Sequence, residues 1–130
     1  MKLRLLLVLS LSVVLTAMSC KEDPVAGDLS VDLTTPNSDD GAVQFTATAS
    51  SGATIASLSQ ACSGCKLFFV KASDVQYRGV VTGNVGAGTL FHISASDSKH
   101  PGNYSIQINA VSDRHFALRT SLSNYSASVK

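Results

Sequence analysis

Apolar residues alternate with polar ones along much of the chain, and this two-residue period constrains the fold more than any other feature. Leu29, Val31 and Leu33 each stand between polar neighbours. Similar alternation returns in three later stretches, 43–49, 90–93 and 104–110. Successive side chains of a β-strand point to opposite faces, so the pattern predicts strands with one buried face. Strong helix formers are scarce, with Glu22 as the only glutamate, which favours the same interpretation.

Clusters of Gly, Pro, Asn, Asp and Ser separate these stretches, at 36–41, 50–52, 83–84 and 101–103. Short strands at this spacing predict an all-β chain, an antiparallel sandwich of about seven or eight strands. The 130 residues allow one such domain. Leu67–Val70 is an unbroken apolar run between Lys66 and Lys71, and it predicts a strand covered on both faces.

The stretch after residue 110 fits two patterns. Helical spacing relates Val111, His115, Leu118 and Leu122. Strand alternation relates Phe116, Leu118, Thr120 and Leu122. We predict a short helical turn near Ser112–Arg114 followed by another strand, and residues 112–118 stay open between helix and strand.

The N-terminus has the three parts of an export signal. Lys2 and Arg4 are followed by an apolar run, 5–15, and then by small residues up to Cys20. Because a membrane-spanning helix needs about 20 apolar residues, the run predicts a cleaved signal-peptide helix, 1–19. An uncleaved membrane anchor is the alternative.

The end of this segment, Ala17-Met18-Ser19-Cys20, resembles the lipobox of bacterial lipoproteins. The resemblance implies that Cys20 is diacylated on its sulfur and becomes the first residue of the mature protein. Ordinary secretory cleavage after Ser19, which would leave Cys20 as a free thiol, is the alternative. The chain has three cysteines, so lipidation of Cys20 leaves Cys62 and Cys65 as a matched pair.

The residues after Cys20 resemble sorting signals. Lys21-Glu22-Asp23 is similar to the surface-export signal of Bacteroidota lipoproteins, and Lys21 also fits outer-membrane sorting under the enterobacterial rule. We therefore expect a lipidated cysteine and flexible tether over 20–28 and the sandwich domain over 29–130. The expected location is the bacterial cell envelope, where a lipid anchors the protein to the outer membrane. The sequence leaves open whether the protein lies on the outer or the inner face of that membrane.

Four segments of the mature chain resemble a group of small uncharacterised bacterial lipoproteins, namely 27–33, 35–43, 104–111 and 118–125. More loosely, the layout is similar to Ig-like, cohesin-like and carbohydrate-binding sandwiches. The first likeness implies no activity. The second concerns the fold, and a fold does not fix a function.

Cys62-Ser63-Gly64-Cys65, followed by Lys66, looks like a thioredoxin-type C-x-x-C-K motif. Such a redox site needs a cysteine at a helix N-terminus within a βαβ unit, whereas Cys65 opens directly into a predicted strand. A c-type haem would require His in place of Lys66. Zinc would need two ligands beyond these cysteines. His92, His100 and His115 could supply them, but their spacing in the sequence does not match a zinc-binding motif. We expect a structural disulfide, with an envelope thiol-disulfide oxidoreductase as the alternative and metal binding as a third possibility.

Asn37, Asp39 and Asp40 before Gly41 are weak candidates for a calcium site, because calcium prefers clustered oxygen ligands. The same residue types also form tight turns, so we expect neither a resident metal nor another cofactor. The glycines between Val81 and Thr89 predict a hairpin connection, since no helix follows to bind a phosphate.

No convergent catalytic set stands out in the sequence. Asp97 and His100 share one loop, but no G-x-S-x-G elbow accompanies them. A formal net charge of +1 without a basic cluster argues against nucleic-acid binding. There is no Trp, and we expect the tyrosines, Tyr77, Tyr104 and Tyr125, to lie in strands. The sequence therefore predicts a non-enzymatic envelope protein that binds a protein, in preference to a glycan, or that serves a structural role.

Overall fold

The structure, a computed structural model, describes residues 20–130, so the predicted signal peptide, 1–19, lies outside the described residues. This part of the chain folds into eight strands in two four-stranded antiparallel sheets, and the predicted all-β sandwich is confirmed. The strands are β1 (Gly27–Thr34), β2 (Asp40–Ala49), β3 (Ile55–Gln60), β4 (Cys65–Ser73), β5 (Gln76–Val85), β6 (Gly88–Ala95), β7 (Tyr104–Asp113) and β8 (Ser126–Val129). A 3-10 turn, Pro101–Asn103, precedes β7.

Strand pairing follows a nested order. One sheet runs β3-β6-β1-β8 and the other runs β4-β5-β2-β7. In this order β1 pairs with β8, β2 with β7, β3 with β6 and β4 with β5. The first four strands therefore pair with the last four in reverse order. The consequence is that β3 and β4 are edge strands on one side of the sandwich, and β7 and β8 are edge strands on the other.

The core lies between the sheets and follows the two-residue period read from the sequence. Val31 of β1 is fully buried, and Val43 of β2 is 1% exposed. The rings of Phe45 and Phe91, one from each sheet, stack with centroids 4.5 Å apart. This pair joins the two sheets at the centre of the core.

All three tyrosines are buried and use their hydroxyls inside the fold. Tyr77 of β5 donates to the carbonyl of Ala56 at 2.7 Å, which links the two sheets. Tyr104 of β7 accepts a hydrogen bond from a backbone amide in the loop before it. Tyr125 lies one residue before β8, so the prediction that it sits in a strand was wrong, although it is buried as expected.

The helical turn predicted near Ser112–Arg114 is absent. Strand β7 continues through Asp113, a tight turn follows, and Leu118 forms an isolated antiparallel bridge with Ser112. Oδ1 of Asp113 accepts hydrogen bonds from the amides of His115 and Ala117, at 2.8 and 3.0 Å. These bonds stabilise a chain reversal, and residues 112–118 are therefore hairpin-like.

Strand β4 also differs from its prediction. The run Leu67–Val70 is predicted to be covered on both faces, but of the described strands only β5 lies beside β4. Phe68 is 57% exposed and Val70 is 65% exposed. The prediction was wrong because a continuous apolar run has the same sequence pattern in a buried central strand and in an exposed edge strand.

Residues 20–26 lead into the sandwich without regular structure, and β1 begins at Gly27. The carbonyl of Val25 accepts hydrogen bonds from the backbone amide and the hydroxyl of Ser98, and Glu22 forms an ion pair with Lys99 at 2.8 Å. Over the described range, 20–130, no helix is long and apolar enough to cross a membrane.

Candidate functional site

The outer face of the sheet β4-β5-β2-β7 carries an apolar surface. The register places Phe68 opposite Val80, Val80 opposite Gln44, and Gln44 opposite Ala110, so this row crosses all four strands. Leu118 extends the surface beyond β7 through its bridge to that strand. We call this surface the β4–β7 face and define it by Ala42, Phe68, Val70, Val80, Ala110 and Leu118.

A groove of about 560 Å³ runs over the β4–β7 face. Among the described residues that line it, Arg78 is the only charged one, and the remaining polar side chains are those of Gln44 and Ser112. Concave apolar surfaces with a few polar groups are typical of binding sites in proteins.

Exposed apolar side chains are concentrated at this groove. The described residues include seven large exposed apolar side chains, and four of them border the groove: Phe68, Val70 and Leu118 on the outer face, and Phe69, whose ring points to the other side of β4. A fifth, Phe116, is 91% exposed in the turn next to Leu118. Because contiguous exposed apolar patches mark interaction sites, this clustering identifies the β4–β7 face as the candidate site.

Two cations border the apolar run of β4, and a third lies on the face. Lys71 forms an ion pair with Asp74 at 2.6 Å, and this hydrogen bond raises the pKa of Lys71 and lowers that of Asp74. Lys66 and Arg78 have no carboxylate within 4.0 Å among residues 20–130. Lys66 and Arg78 are therefore the two cations near the groove that no carboxylate of the described residues offsets.

The turn before β4 holds the two paired cysteines. Cys62 and Cys65 lie in disulfide geometry with Cα atoms 5.8 Å apart, and Cys65 is 5% exposed. Opposite the turn, Gly83 has φ +112°, and a Cβ there would lie 2.7 Å from the carbonyl oxygen of Gly64. No helix follows Cys65, so the motif lacks the helix N-terminus that activates a redox cysteine.

We expect the double variant Cys62→Ser/Cys65→Ser to lose a modest amount of stability. The closed loop is short, and the chain-entropy model gives about 2 kcal/mol for it, below the roughly 3 kcal/mol of a 15-residue loop. Urea unfolding of both proteins measures the difference. Insulin reduction by the wild type at a rate that the variant lacks would instead support the oxidoreductase alternative.

The calcium candidates are arranged around a guanidinium group. Nη2 of Arg119 lies 2.5 Å from Oδ1 of Asp39 and 2.9 Å from Oδ1 of Asp40. These hydrogen bonds, first that to Asp39, raise the pKa of Arg119. The amide of Asn37 donates to Tyr125 Oη, so it presents its nitrogen to the cluster. These residues remain weak candidates for calcium, and calcium binding here would require displacement of Arg119.

Asp40 is fully buried and is the centre of this cluster. Its Oδ1 also accepts a hydrogen bond from Tyr125 at 2.8 Å, and its Oδ2 accepts one from Thr35 at 2.6 Å. The cluster therefore ties the start of β2 to residues just before β8. Arg119 was missed by sequence reasoning because it lies about 80 residues from its partners and belongs to no recognisable motif.

Asp97 and His100, the hydrolase candidates, are in contact with each other. Oδ2 of Asp97 lies 2.6 Å from Nδ1 of His100, and Oδ1 accepts the amide of Lys99. Burial opposes ionisation of Asp97, but the His100 contact and the backbone amide outweigh it and lower the pKa of this carboxyl. In the described part of the chain no hydroxyl group lies within hydrogen-bond distance of His100 to serve as a nucleophile.

The pKa of Asp97 predicts a dependence of stability on pH. Because it is depressed below the usual 3.8, ionised Asp97 stabilises the fold above pH 3.8, and this contribution disappears as pH falls through the lower folded-state value. We expect Asp97→Asn to be less stable than wild type at pH 7 and the gap to close progressively below pH 3.8. Urea unfolding from pH 2 to pH 7 tests this. Asp28→Asn, at an exposed carboxylate, is the control, and an Asp97 gap unchanged with pH would contradict the prediction.

The remaining metal candidates are dispersed. His92 lies in β6, His100 in the loop before β7, and His115 in the turn after β7. Within residues 20–130 no three His, Cys, Asp or Glu residues are grouped closely enough to hold a metal ion.

The chain matches no protein-family model, no curated protein and no solved structure in comparisons of its sequence and fold. The candidate functional site is therefore the β4–β7 face. This face has the largest group of exposed apolar side chains in the part of the chain that the structure describes.

Proposed function

We propose that this chain is a non-enzymatic, lipid-anchored envelope protein whose sandwich binds another protein through the β4–β7 face. The observation that carries the proposal is the clustering of exposed Phe68, Val70 and Leu118 around one groove. Burial of such side chains against a partner would remove apolar surface from water, which is the main driving force of protein association.

A protein partner fits this face better than a glycan. Sugars present many hydroxyl groups, which require hydrogen-bonding side chains, while Gln44, Arg78 and Ser112 are the polar residues of the groove. The three tyrosine rings are buried, so the exposed aromatic rings at this site belong to phenylalanines, which carry no hydroxyl group to hydrogen-bond a sugar. Protein interfaces, in contrast, are enriched in aromatic residues and arginine at their centre.

The anchor belongs to the same proposal. Cys20 is exposed and lies outside the Cys62–Cys65 pair, and residues 20–26 connect it to β1. A lipid on Cys20 would hold the sandwich at the surface of the outer membrane. The anchor would also raise the effective concentration of the face for partners in the same envelope.

Mass spectrometry of the protein isolated from native membranes tests the anchor. We expect an N-terminal Cys20 that carries acyl chains, and we expect Cys20→Ser to be released from washed membranes. An intact Met1 or an unmodified N-terminal Cys20 would contradict lipidation.

Native gels of gently solubilised membranes test the face. We expect the wild type in a complex larger than the chain itself and the double variant Phe68→Ser/Val70→Ser as the chain alone. Val25→Ser is a matched control, since Val25 is exposed but lies off the face. A complex that survives the double variant would contradict the proposed function.

A further inference from the structure

Strand β4 presents more than a flat apolar surface to a partner. We infer that its outer edge receives an extended segment of another protein, which adds to the sheet as a fifth strand. That segment would carry apolar residues at alternate positions and acidic residues at both ends. This inference rests on the proposed function and names the partner of the same face.

The outer backbone edge of β4 is unpaired in the described part of the chain. Only β5 pairs with β4 among the described strands, so the opposite edge of β4 has no hydrogen-bonding neighbour. Alternate N–H and C=O groups of an edge strand point away from the sheet, and an added strand satisfies them. The run Lys66–Lys71 is about 20 Å long, enough for a segment of six to eight residues.

Apolar side chains of β4 are exposed on both sides of the sheet. Phe68 and Val70 are exposed on the outer face of the sheet, opposite Val80 and Arg78 of β5. Phe69 points to the other side, where its ring centroid lies 5.9 Å from that of Tyr77, and it is still 40% exposed. An added strand has alternate side chains on both faces, so it would cover all three residues at once, while a partner lying on the outer face would leave Phe69 in water.

Charge defines the ends of the segment. Lys71 is already paired with Asp74, but Lys66 at one end of the apolar run and Arg78 near the other end, beside Val70 on the next strand, have no carboxylate within 4.0 Å among residues 20–130. Within the range 20–130, no acidic side chain lines the groove. Acidic residues at both ends of an added strand would pair with these cations, which fixes the register as well as the affinity.

A second copy of this chain fits the edge less well. Self-pairing of β4 in an antiparallel two-fold arrangement would bring together Lys66 and Lys71 from both copies. Asp74 offsets Lys71 within each copy, but Lys66 has no carboxylate within 4.0 Å among residues 20–130, and like charges in neighbouring strands are destabilising. The lysines therefore protect the edge against its own copy, as charged residues do at many sheet edges.

A lipid bilayer fits the edge less well for a different reason. Acyl chains could cover Phe68 and Val70, but they offer no hydrogen-bond donors or acceptors to the open edge of β4. Unsatisfied peptide groups are costly in hydrocarbon, and a protein segment removes that cost.

A peptide-binding experiment tests the inference. The full chain, isolated from its expression host, is held in vesicles of neutral lipid, and labelled peptides are followed by fluorescence anisotropy. The probes are eight-residue peptides with Val, Ile or Phe at alternate positions and Asp or Glu at both ends. We expect micromolar binding. In an added strand every second peptide N–H faces β4, so two sets of alternate amides can be N-methylated. We expect methylation of one set to weaken binding more than tenfold.

Charge exchange supplies a matched second measurement. We expect wild type to prefer acid-ended peptides over the same peptides with Lys ends by about tenfold, since each exposed ion pair contributes a few-fold. The double variant Lys66→Glu/Arg78→Glu should reverse this preference. Both altered positions are exposed, so the variant should fold as wild type does.

Several results would overturn strand addition while leaving the proposed function intact. One is peptide binding that is unchanged by N-methylation of either set of alternate amides. Another is the absence of any peptide binding while the native complex still depends on Phe68 and Val70. Concentration-dependent dimers that Phe68→Ser abolishes would assign β4 to a second copy, and protection of β4 by vesicles alone would assign it to the membrane. A native complex that is indifferent to Phe68→Ser/Val70→Ser would instead reject the proposed function itself.

Discussion

Replacement of Arg119 by Met is expected to remove much of the stability of the sandwich. Asp40 is fully buried, and its Oδ1 receives hydrogen bonds from Nη2 and Nε of Arg119 at 2.9 and 3.2 Å. Leaving the buried Asp40 carboxylate without a cation costs about 3–5 kcal/mol. Domains of this size are stable by only about 5–15 kcal/mol, so urea unfolding should show a large shift of the midpoint.

Two further variants identify the cause of that loss. Arg78→Met removes an exposed arginine without an ion pair among the described residues, and we expect it to change stability by less than about 0.5 kcal/mol. Asp40→Leu/Arg119→Met removes both charges, and we expect it to be more stable than Arg119→Met alone. Losses that simply add in the double variant would contradict an ion pair between the two residues.

Truncation of Phe91 to Ala is the second change with a large expected effect. Phe91 is fully buried and stacks on Phe45 of the opposite sheet, so its removal leaves a cavity where the two sheets meet. Phe→Ala in a core costs about 3–5 kcal/mol. For a domain of about 100 residues this lowers the thermal midpoint by roughly 10 °C or more.

Phe116→Ala is the matched control for this prediction. The Phe116 side chain is 91% exposed, so its truncation should change stability by less than about 0.5 kcal/mol. Equal destabilisation by the two variants, measured by calorimetry, would contradict a core centred on the Phe45–Phe91 stack.

The sequence predicted the sandwich because local patterns carry that information. Alternation in 29–33 and 43–49 marks the inward faces of β1 and β2, and the turn residues between them mark where the chain reverses. The proximity of Cys62 and Cys65 was predictable because the two residues are close in the sequence and in a turn. All of these features depend on neighbours within a few residues.

Features that depend on distant parts of the chain were not predictable in this way. Whether Leu67–Val70 is buried or exposed is decided by the sheet order, which leaves β4 at an edge. The pairing of Asp40 with Arg119 joins residues about 80 positions apart and has no short motif. Near residue 113 the chain forms a tight turn and not the predicted helical turn, because Asp113 accepts hydrogen bonds from two backbone amides. Helical periodicity in the sequence does not reveal such contacts.

The central claim, that the face around β4 is a docking surface in the envelope, is tested most directly by site-specific photo-crosslinking in living cells. The crosslinking residue replaces Val70 on the face or, as the control, Ser59 on the exposed side of the opposite sheet. We predict one discrete protein adduct from position 70, absent from position 59 and lost when Phe68→Ser is added. Adducts of equal yield from both positions, or none from position 70, would contradict the account.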